Sequence, residues 1–512
     1  MEPLDRPVQI AHRRALLRRD PGRQEVRHFP CADAPPGEDP RDERGDTIGD
    51  IPDPLCGHDP ATLRHEAHLT FKYPALVLAI GLALASCVPP ATLPAASTPA
   101  AGGQNPPTKT ANPTIPGLAQ APHVIFGPLR AWYLAPDPAF REDVHVAVTF
   151  PDGDPTDGRP RARLRSNGRL VDLVRSRDLP ASWQAELPLD GAPPGDQRIE
   201  ILVRLRDGTD ASLATRDFVL SAPEYVVWTL DFEGDASGDA ELANAAAIAD
   251  GLRVPMTIMW NPRVWTTTQV SPARAEAMLA WTKARGSTGD EIALHLHMWT
   301  DYVRAAGLVP RTVPSWAGRL DGYDVPMTAY NEIETRTLLD HALRLMADHG
   351  LSRPLTFRAG GDFANAENLR AVAAAGFVAD CTAVPAGTFG RLTWPWTLAP
   401  DAQPYRPSRD DANKPGDLPL LEAPTIGGNT YGYDARTIQP VARADLSNLA
   451  AAGQPAKERR AITIVSHPGT IDASERAAIE ALLGAFAPLR YDRDTGPLRF
   501  VTLAQLAKAY GL

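Results

Sequence analysis

The chain has 512 residues, of which 43% are hydrophobic, and a formal net charge of −10 at pH 7. This length allows two or three domains with buried cores of their own. The acidic balance argues against a nucleic-acid-binding protein, because phosphate contacts need clustered lysine and arginine, and no basic patch occurs outside the N-terminal part.

The first part of the chain is not expected to form a core. Residues 1–68 and 88–122 are rich in proline, alanine and polar or charged residues, which bury too little apolar surface to fold. We interpret 1–68 as a disordered extension, or as a non-native one that arises from an upstream start codon. N-terminal sequencing of the mature protein that found residues before Cys87 would contradict the second interpretation. Residues 88–122 are interpreted as a linker rich in Pro, Ala and Thr.

Residues 69–87 carry an apolar run that is too short to span a bilayer comfortably but has the length of a signal-peptide core. The run ends in a Leu-Ala-Ser-Cys sequence at Cys87, which resembles a bacterial lipoprotein signal. The alternative is a buried apolar helix. The resemblance implies an exported protein anchored to the bacterial cell envelope, on the periplasmic or cell-surface side, through a lipid on Cys87. Cys381 would then be the remaining unpaired cysteine, and we expect a buried thiol.

Residues 123–222 read as short strands with alternating apolar residues, separated by turns that contain glycine and aspartate. Regular strand spacing over this length predicts a small all-β sandwich of immunoglobulin-like type. Its function stays open at this point, since a carbohydrate-binding module and a spacer or interaction module both fit the sequence.

Residues 224–512 alternate predicted strands with predicted helices. Helices are expected at 239–252, 271–285, 332–349 and 367–375, the third with an apolar stripe formed by Ile333, Leu338, Leu339, Ala342, Leu345 and Met346. Repeated βα units predict an α/β fold, either barrel-like or doubly wound, with functional residues at the carboxyl ends of a parallel sheet.

Two motifs at such strand ends carry potential metal ligands. His295 and His297 alternate along the predicted strand 293–299, so both imidazoles point to one side. Asp231 and Glu233 follow another predicted strand and share one face for the same reason. A mixed set of carboxylates and imidazoles fits a first-row divalent cation, zinc first and cobalt or nickel next, better than calcium or magnesium.

The order of these motifs resembles that of the polysaccharide deacetylases, the NodB-type group also called carbohydrate esterase family 4. Thr229 to Glu233 is similar to the family's Thr-Phe-Asp-Asp motif, with one residue between the acids. Gly289 to His295 is similar to the start of the second motif. The family's second histidine comes four residues after the first, where this chain has Trp299. The second histidine of this chain is His297, which gives a His-x-His motif that resembles a divergent branch of the family. The segments around Arg358 and His467 are similar to the third and the last motifs.

The resemblance implies a distorted (β/α) barrel of NodB type over 224–512 and a metal-dependent carbohydrate deacetylase. It implies Asp231 as catalytic base, Arg358 as the residue that fixes the base, and His467 as the general acid. The implied metal ligands are Glu233, His295 and His297. The implied substrate is an N-acetylated glycan of the cell envelope or the extracellular space, while the oligomeric state is not indicated.

Two other functions remain compatible with the sequence. One is a hydrolase of the same fold that acts on another amide or on an ester. The other is a glycan-binding or assembly lipoprotein in which the altered second motif has abolished catalysis. Activity on a small acetyl ester but not on acetylated amino sugars would favour the first, and glycan affinity without turnover would favour the second.

Several residues have a structural explanation as well as a functional one. His341 and His349 lie on a predicted amphipathic helix and are interpreted as part of its solvated face. Asp380 could support a metal ligand or could simply end a strand. One aromatic group either stacks on sugar rings or packs a loop onto the barrel; its members are Trp394, Trp396, Tyr405, Tyr431 and Tyr433.

Overall fold

The structure, a computed structural model, describes residues 122–153 and 159–512. The predicted extension 1–68, the signal segment 69–87 with Cys87, and all but the last residue of the linker 88–122 lie outside the described residues. Within the described part of the chain, no helix is both long enough and apolar enough to cross a membrane.

The region from Ile125 to Ser221 forms two β-sheets. Its strands are β1 Ile125–Phe126, β2 Trp132–Leu134, β3 Val144–Thr149, β4 Arg161–Leu164, β5 Leu170–Asp172, β6 Val174–Arg175, β7 Ser182–Leu187, β8 Gly195–Arg204 and β9 Asp210–Ser221. One sheet has the order β1-β3-β7-β6 and the other the order β2-β9-β8-β4-β5. Neighbouring strands are antiparallel except β2 and β9, which are parallel.

Both sheets contribute to one buried hydrophobic cluster. In β3, Val144, Val146 and Val148 are buried, whereas His145 between them is exposed. The alternation follows from the strand period of two and gives the sheet one apolar face. Ile199 and Ile201 of β8 bring the second sheet into the same cluster. The immunoglobulin-like assignment of this region stays a prediction.

The region from Glu224 onward is an α/β fold. Its strands are β10 Glu224–Asp231, β11 Met256–Trp260, β12 Glu291–Leu296, β13 Thr356–Ala359, β14 Ala379–Asp380, β15 Thr388–Phe389, β16 Leu392–Thr393, β17 Leu421–Glu422, β18 Arg460–Ser466 and β19 Leu498–Phe500. The main sheet has the order β17-β14-β13-β12-β11-β10-β18, β19 also pairs with β10, and every pair in this sheet is parallel. Strands β15 and β16 form a separate antiparallel pair.

The helices are α1 Asp239–Leu252, α2 Pro272–Ser287, α3 Thr300–Ala305, α4 Glu332–Asp348, α5 Ala366–Ala374, α6 Gln439–Ser447, α7 Ala473–Gly484 and α8 Leu503–Ala509. Asn331 begins α4 with a capping box, in which its side chain accepts a hydrogen bond from the backbone N–H of Glu334 and the carboxylate of Glu334 accepts one from Asn331. The predicted apolar stripe of this helix is correct at Leu338 and Leu339 but wrong at Ile333, which is 79% exposed. Ile333 precedes Leu338 by five residues, which turns it away from the buried face.

Strand β10 lies between β11 and β18 and is buried on both faces. Val226, Trp228 and Leu230 belong to the cluster that packs the sheet against its helices, whereas Tyr225 and Val227 point to the opposite face. Leu503 and Leu506 of α8 share the cluster of Tyr225 and Val227, so the C-terminal helix fills this concave side of the sheet. The strand period places Asp231 on the same side as Tyr225 and Val227, at the carboxyl end.

The sheet is curled, and the chain after β17 connects its two edges. The backbone N–H of Ala423 donates to the carbonyl of Asp380 over 2.8 Å, and that of Gly427 donates to the carbonyl of Thr463 in β18 over 2.9 Å. The segment therefore runs from the β14 side to the β18 side. The predicted distorted (β/α) barrel takes the form of this curled, parallel sheet packed against helices.

Candidate metal and active site

Glu233, His295 and His297 lie together at the carboxyl end of the parallel sheet. Their potential ligand atoms all lie within 4.8 Å of one another. Nε2 of His297 is 2.6 Å from one carboxylate oxygen of Glu233, and Nε2 of His295 is 3.9 Å from the other. His295 lies in β12 and His297 just beyond its last residue, Leu296. The predicted convergence of the two imidazoles is therefore found, with ring centroids 4.9 Å apart.

Backbone carbonyls orient both imidazoles. Nδ1 of His295 is 3.1 Å from the carbonyl oxygen of Arg358, and Nδ1 of His297 is 2.8 Å from that of Tyr323. A carbonyl can only accept, so Nδ1 carries a proton in each ring, and Nε2 faces Glu233 as the nitrogen available to a cation. This is the arrangement in which a metal-binding histidine is commonly held by its second nitrogen.

The chemistry of these three side chains fits a divalent cation. Nε2 of His295 is buried and has no hydrogen-bond partner in the described residues. Burial lowers the pKa of His295 to about 4, which keeps its ring neutral and its lone pair free. Burial opposes ionisation of Glu233, but the adjacent His297 outweighs it and holds the pKa of Glu233 well below its usual range. Two imidazole nitrogens and a carboxylate oxygen are ligands of zinc and its neighbours.

A buried ion pair lies next to the three candidate ligands. Nη1 of Arg358 donates to both carboxylate oxygens of Asp231, at 3.1 and 3.2 Å, and to the hydroxyl of Thr229 at 2.6 Å. The other guanidinium nitrogens donate to the hydroxyl of Thr425 at 2.5 Å and to the carbonyl of Cys381 at 3.1 Å. With both charges buried, the pair fixes the orientation of Asp231.

His467 follows β18 and faces the same site. Its Nε2 is 3.3 Å from a carboxylate oxygen of Glu233, while its Nδ1 is buried without a hydrogen-bond partner in the described residues. Ser466, directly before it, is held by the indole N–H of Trp228 at 2.9 Å and by the hydroxyl of Thr430 at 2.8 Å. These bonds fix the backbone from which His467 projects.

All six residues named from the sequence thus meet in one place, and two further residues escaped the sequence interpretation. The ring of Tyr323 is stacked on the imidazole of His297, with centroids 4.4 Å apart and planes 9° apart. Asp362 has a φ of +66°. Burial raises the pKa of Asp362 to about 7, although Arg358 opposes the shift. Tyr323 lies in a stretch without periodicity, so no sequence signal points to it. For Asp362, the two preceding glycines are a weak sequence signal.

Asp380 does not contact the candidate ligands. It accepts a hydrogen bond of 2.7 Å from the hydroxyl of Thr382, and it is paired in register with Glu422 of β17. Burial raises the pKa of both Asp380 and Glu422. Cys381, between two buried neighbours, is a buried free thiol as expected.

The predicted aromatic group divides between packing and exposure. The indole N–H groups of Trp394 and Trp396 donate to the carbonyls of Gly361 and Asp362, at 2.9 and 2.8 Å. Tyr431 is 53% exposed. The two histidines of α4 and its C-terminal end contact aromatic rings away from the candidate ligands. The ring of His349 is stacked on Trp265 at a centroid distance of 4.0 Å, and His341 packs on Tyr302.

Comparisons with known proteins give structural similarity only. No family model matches the chain, and no curated protein matches it. Among solved structures, a protein of Mycobacterium smegmatis assigned as a polysaccharide deacetylase is 14% identical, covers 56% of this chain and 89% of its own, and has a TM-score of 0.37. A family 4 carbohydrate esterase of Streptomyces lividans is 12% identical over 55% of this chain and 94% of its own, with a TM-score of 0.30.

A peptidoglycan deacetylase of Bacillus subtilis is 11% identical over 56% of this chain and 92% of its own, with a TM-score of 0.29. These three solved structures carry the names of polysaccharide deacetylases or of a family 4 carbohydrate esterase, and this chain is similar to each of them at low identity. These identities and TM-scores are too low to assign an activity or a substrate, so both must be inferred from the chemistry of the site.

Proposed function

We propose that the protein is a metal-dependent hydrolase that removes N-acetyl groups from a polysaccharide of the cell envelope or the extracellular space. One observation carries the proposal: the Nε2 atoms of His295 and His297 and the carboxylate of Glu233 lie within 4.8 Å of one another, beside the buried Asp231–Arg358 pair. A ligand set next to a fixed carboxylate is one arrangement that can hydrolyse an unactivated amide.

Hydrolysis of an acetamide joins a water oxygen to the acyl carbon and breaks the carbon–nitrogen bond. Glu233, His295 and His297 would hold the cation, which supplies Lewis acidity toward water and toward the acyl oxygen. Asp231 accepts the proton that the attacking water loses, and Arg358 keeps the carboxylate in place for this transfer.

His467 supplies the second proton transfer. Its Nε2 faces the site, 3.3 Å from Glu233, so a proton on this nitrogen is directed toward the reacting group. The leaving nitrogen must be protonated, because an amide anion is too basic to leave near neutral pH. The products are acetate and a free amine on the sugar.

Zinc is the proposed cation, with cobalt or nickel as alternatives that the same ligands accept. Export and a lipid on Cys87 complete the proposal; they are supported by the sequence of residues 69–87 alone. A Cys87→Ser variant is expected to leave the membrane fraction, and its continued sedimentation with membranes would contradict the anchor.

The first experiment measures the metal content of the purified protein by elemental analysis and compares it with a His295→Ala/His297→Ala double variant. We expect about one equivalent of metal in the wild type, loss of most of it in the double variant, and no loss in a His145→Ala control on the exposed face of β3. Equal metal content in wild type and double variant would contradict the assigned site.

The second experiment follows acetate and free amine released from oligosaccharides of N-acetylglucosamine. Release by the wild type and none by the double variant would support the proposed reaction. A metal-loaded wild type that releases acetate only from small esters would instead support the other hydrolase.

A further inference from the structure

The loop that follows β13 runs directly beside the candidate metal site. A Cβ atom on Gly360 would lie 2.4 Å from Nδ1 of His297, and one on Gly361 would lie 2.6 Å from the indole of Trp316. Only glycine backbone fits between these two rings. The next residue, Asp362, is therefore the first side chain of this loop that can extend beside the site.

Asp362 adopts a left-handed backbone conformation, with a φ of +66°. Glycine is the residue that such a backbone favours, because a Cβ atom is crowded there. The conformation is held by two indole N–H groups, since Trp394 donates to the carbonyl of Gly361 and Trp396 to that of Asp362. An aspartate thus occupies, at a conformational cost, a fixed position where glycine would fit without strain.

The carboxyl group of Asp362 lies among the charges of the site. The charges of Arg358, Asp231, His467 and His297 all act on it. None of the roles in the proposed hydrolysis uses this carboxyl group. It is only partly buried, so a ligand in the site can reach it.

Aromatic rings continue outward from the same loop. Trp316 lies 6.1 Å from the imidazole of His297 and 5.4 Å from Phe389, measured between ring centroids. Phe389 is 36% exposed and stacks on Trp394 at 5.9 Å with 6° between the planes. Exposed aromatic faces pack on apolar surfaces, and a carboxyl oxygen accepts hydrogen bonds from hydroxyl groups. Sugar rings present both an apolar face and a rim of hydroxyl donors.

We propose that Asp362 is a substrate-binding residue whose carboxyl oxygens accept hydrogen bonds from the hydroxyl groups of a sugar, while the apolar face of the sugar ring packs toward Phe389. This inference rests on the proposed function and deepens it, because it names the residue that recognises the hydroxyl groups of the polysaccharide. Removal of an acceptor for a bonded hydroxyl costs more for the hydroxylated substrate than for one without hydroxyls.

The test compares Asp362→Gly and Asp362→Asn with the wild type. Glycine relieves the left-handed backbone and removes the carboxyl group, whereas asparagine keeps the shape and tolerates the conformation. We expect Asp362→Gly to bind an N-acetylglucosamine oligosaccharide about 10- to 100-fold more weakly than the wild type does. The affinity of Asp362→Asn should lie between those of the wild type and Asp362→Gly. The thermal midpoint and metal content of Asp362→Gly should match or exceed those of the wild type.

Binding is measured by calorimetry on the metal-free protein, and kcat and KM are measured on the loaded protein with the oligosaccharide and with 4-nitrophenyl acetate, which has no sugar hydroxyls. The loss is expected in KM for the oligosaccharide and not in either constant for the ester. Arg253→Gly is the matched control, because Arg253 also has a positive φ, +53°, and lies after α1 before the amino end of β11.

Unchanged oligosaccharide affinity in Asp362→Gly, or a wild type that does not bind the oligosaccharide, would overturn this inference. A wild type that binds the oligosaccharide through Asp362 but releases no acetate would support the inference and contradict the proposed function. A wild type that hydrolyses it with the same KM as Asp362→Gly would do the reverse.

Discussion

Nη1 of Arg358 lies 3.1 Å from a carboxylate oxygen of Asp231, although their strands, β13 and β10, are separated in the sheet by β12 and β11. The contact spans the concave face, so it exists because the sheet curls. The same curl brings the carboxyl ends of β10, β12 and β18 toward one point. The ion pair thus depends on the curvature that also assembles the candidate metal ligands.

Asp231→Asn tests the role of this carboxylate as a base. Asparagine keeps the shape and a hydrogen-bond acceptor for Arg358 but cannot take a proton at neutral pH. We expect acetate release to fall by about 10²- to 10⁴-fold while the metal content stays that of the wild type. Both are measured on the same preparation, and a variant that retains its metal and the normal rate would rule out Asp231 as the base.

His467→Ala should distinguish substrates by their leaving groups. The amine of a sugar needs a proton as it leaves, whereas 4-nitrophenolate leaves without one. We expect a loss of about 10²- to 10⁴-fold in kcat for the amide and less than about tenfold for the nitrophenyl ester. Equal losses on the two substrates, with metal still bound, would point to a structural role for His467.

Gly360→Ala should disturb the metal site without replacing any of its proposed ligands. The new Cβ atom would lie 2.4 to 2.6 Å from three atoms of the His297 ring, so either the ring or the loop must move. We expect metal affinity to fall by about 10- to 100-fold and stability by about 1–3 kcal/mol.

Gly251→Ala in α1 is the control, because nothing lies within 4 Å of its added Cβ atom. Alanine is preferred over glycine in a helix, and this variant should be more stable by about 0.5–1 kcal/mol with unchanged metal affinity. Titration of the metal-free proteins with Zn²⁺ compares the two. Identical affinities would show that the loop yields to the added methyl group.

Asp445 should lower the free energy of unfolding as the pH rises. Its side chain in α6 is buried, one oxygen lacks a hydrogen-bond partner in the described residues, and burial raises its pKa from 3.8 to about 8. Below the pKa of the unfolded chain, the group is protonated in both states and stability is highest. As the pH rises toward 8, only the unfolded state ionises, so this contribution is lost, on the order of a few kcal/mol.

Asp445→Asn is neutral at every pH and should remove this component. Urea unfolding of both proteins at about pH 5 and about pH 8 gives the free energies of unfolding. The wild type is expected to lose more stability than the variant between the two values. An equal change in both proteins would show that Asp445 ionises freely in the folded state.

The sequence predicts those parts of the site that follow from local periodicity. His295 and His297 share a face because they alternate at the end of β12, and Asp231 ends β10 where the apolar run stops. The helix α1 has the predicted bounds, Asp239–Leu252, which its alanine-rich sequence indicates. Period and strand ends are local properties, so a single sequence contains them.

Other parts depend on long-range packing that local patterns do not encode. Tyr323 reaches His297 from a segment without periodicity, and its contact exists only in the folded chain. The left-handed φ of Asp362 is held by Trp394 and Trp396, which lie more than thirty residues further along the chain. Ile333 shows the limit within a helix, since the sequence pattern assigned it to the apolar stripe although its side chain is exposed.

The pairing of β10 with β18 and β19 determines when the site can form during synthesis. This strand is the first of the parallel sheet to leave the ribosome, yet its partners β18 and β19 are among the last elements of the chain. Contacts between such distant segments form slowly, and the concave face of β10 lacks the cover of α8 until the chain is nearly finished. Newly made protein is therefore expected to depend on chaperones that shield this strand, and a ribosome that stalls before β18 would leave a chain unable to complete the site.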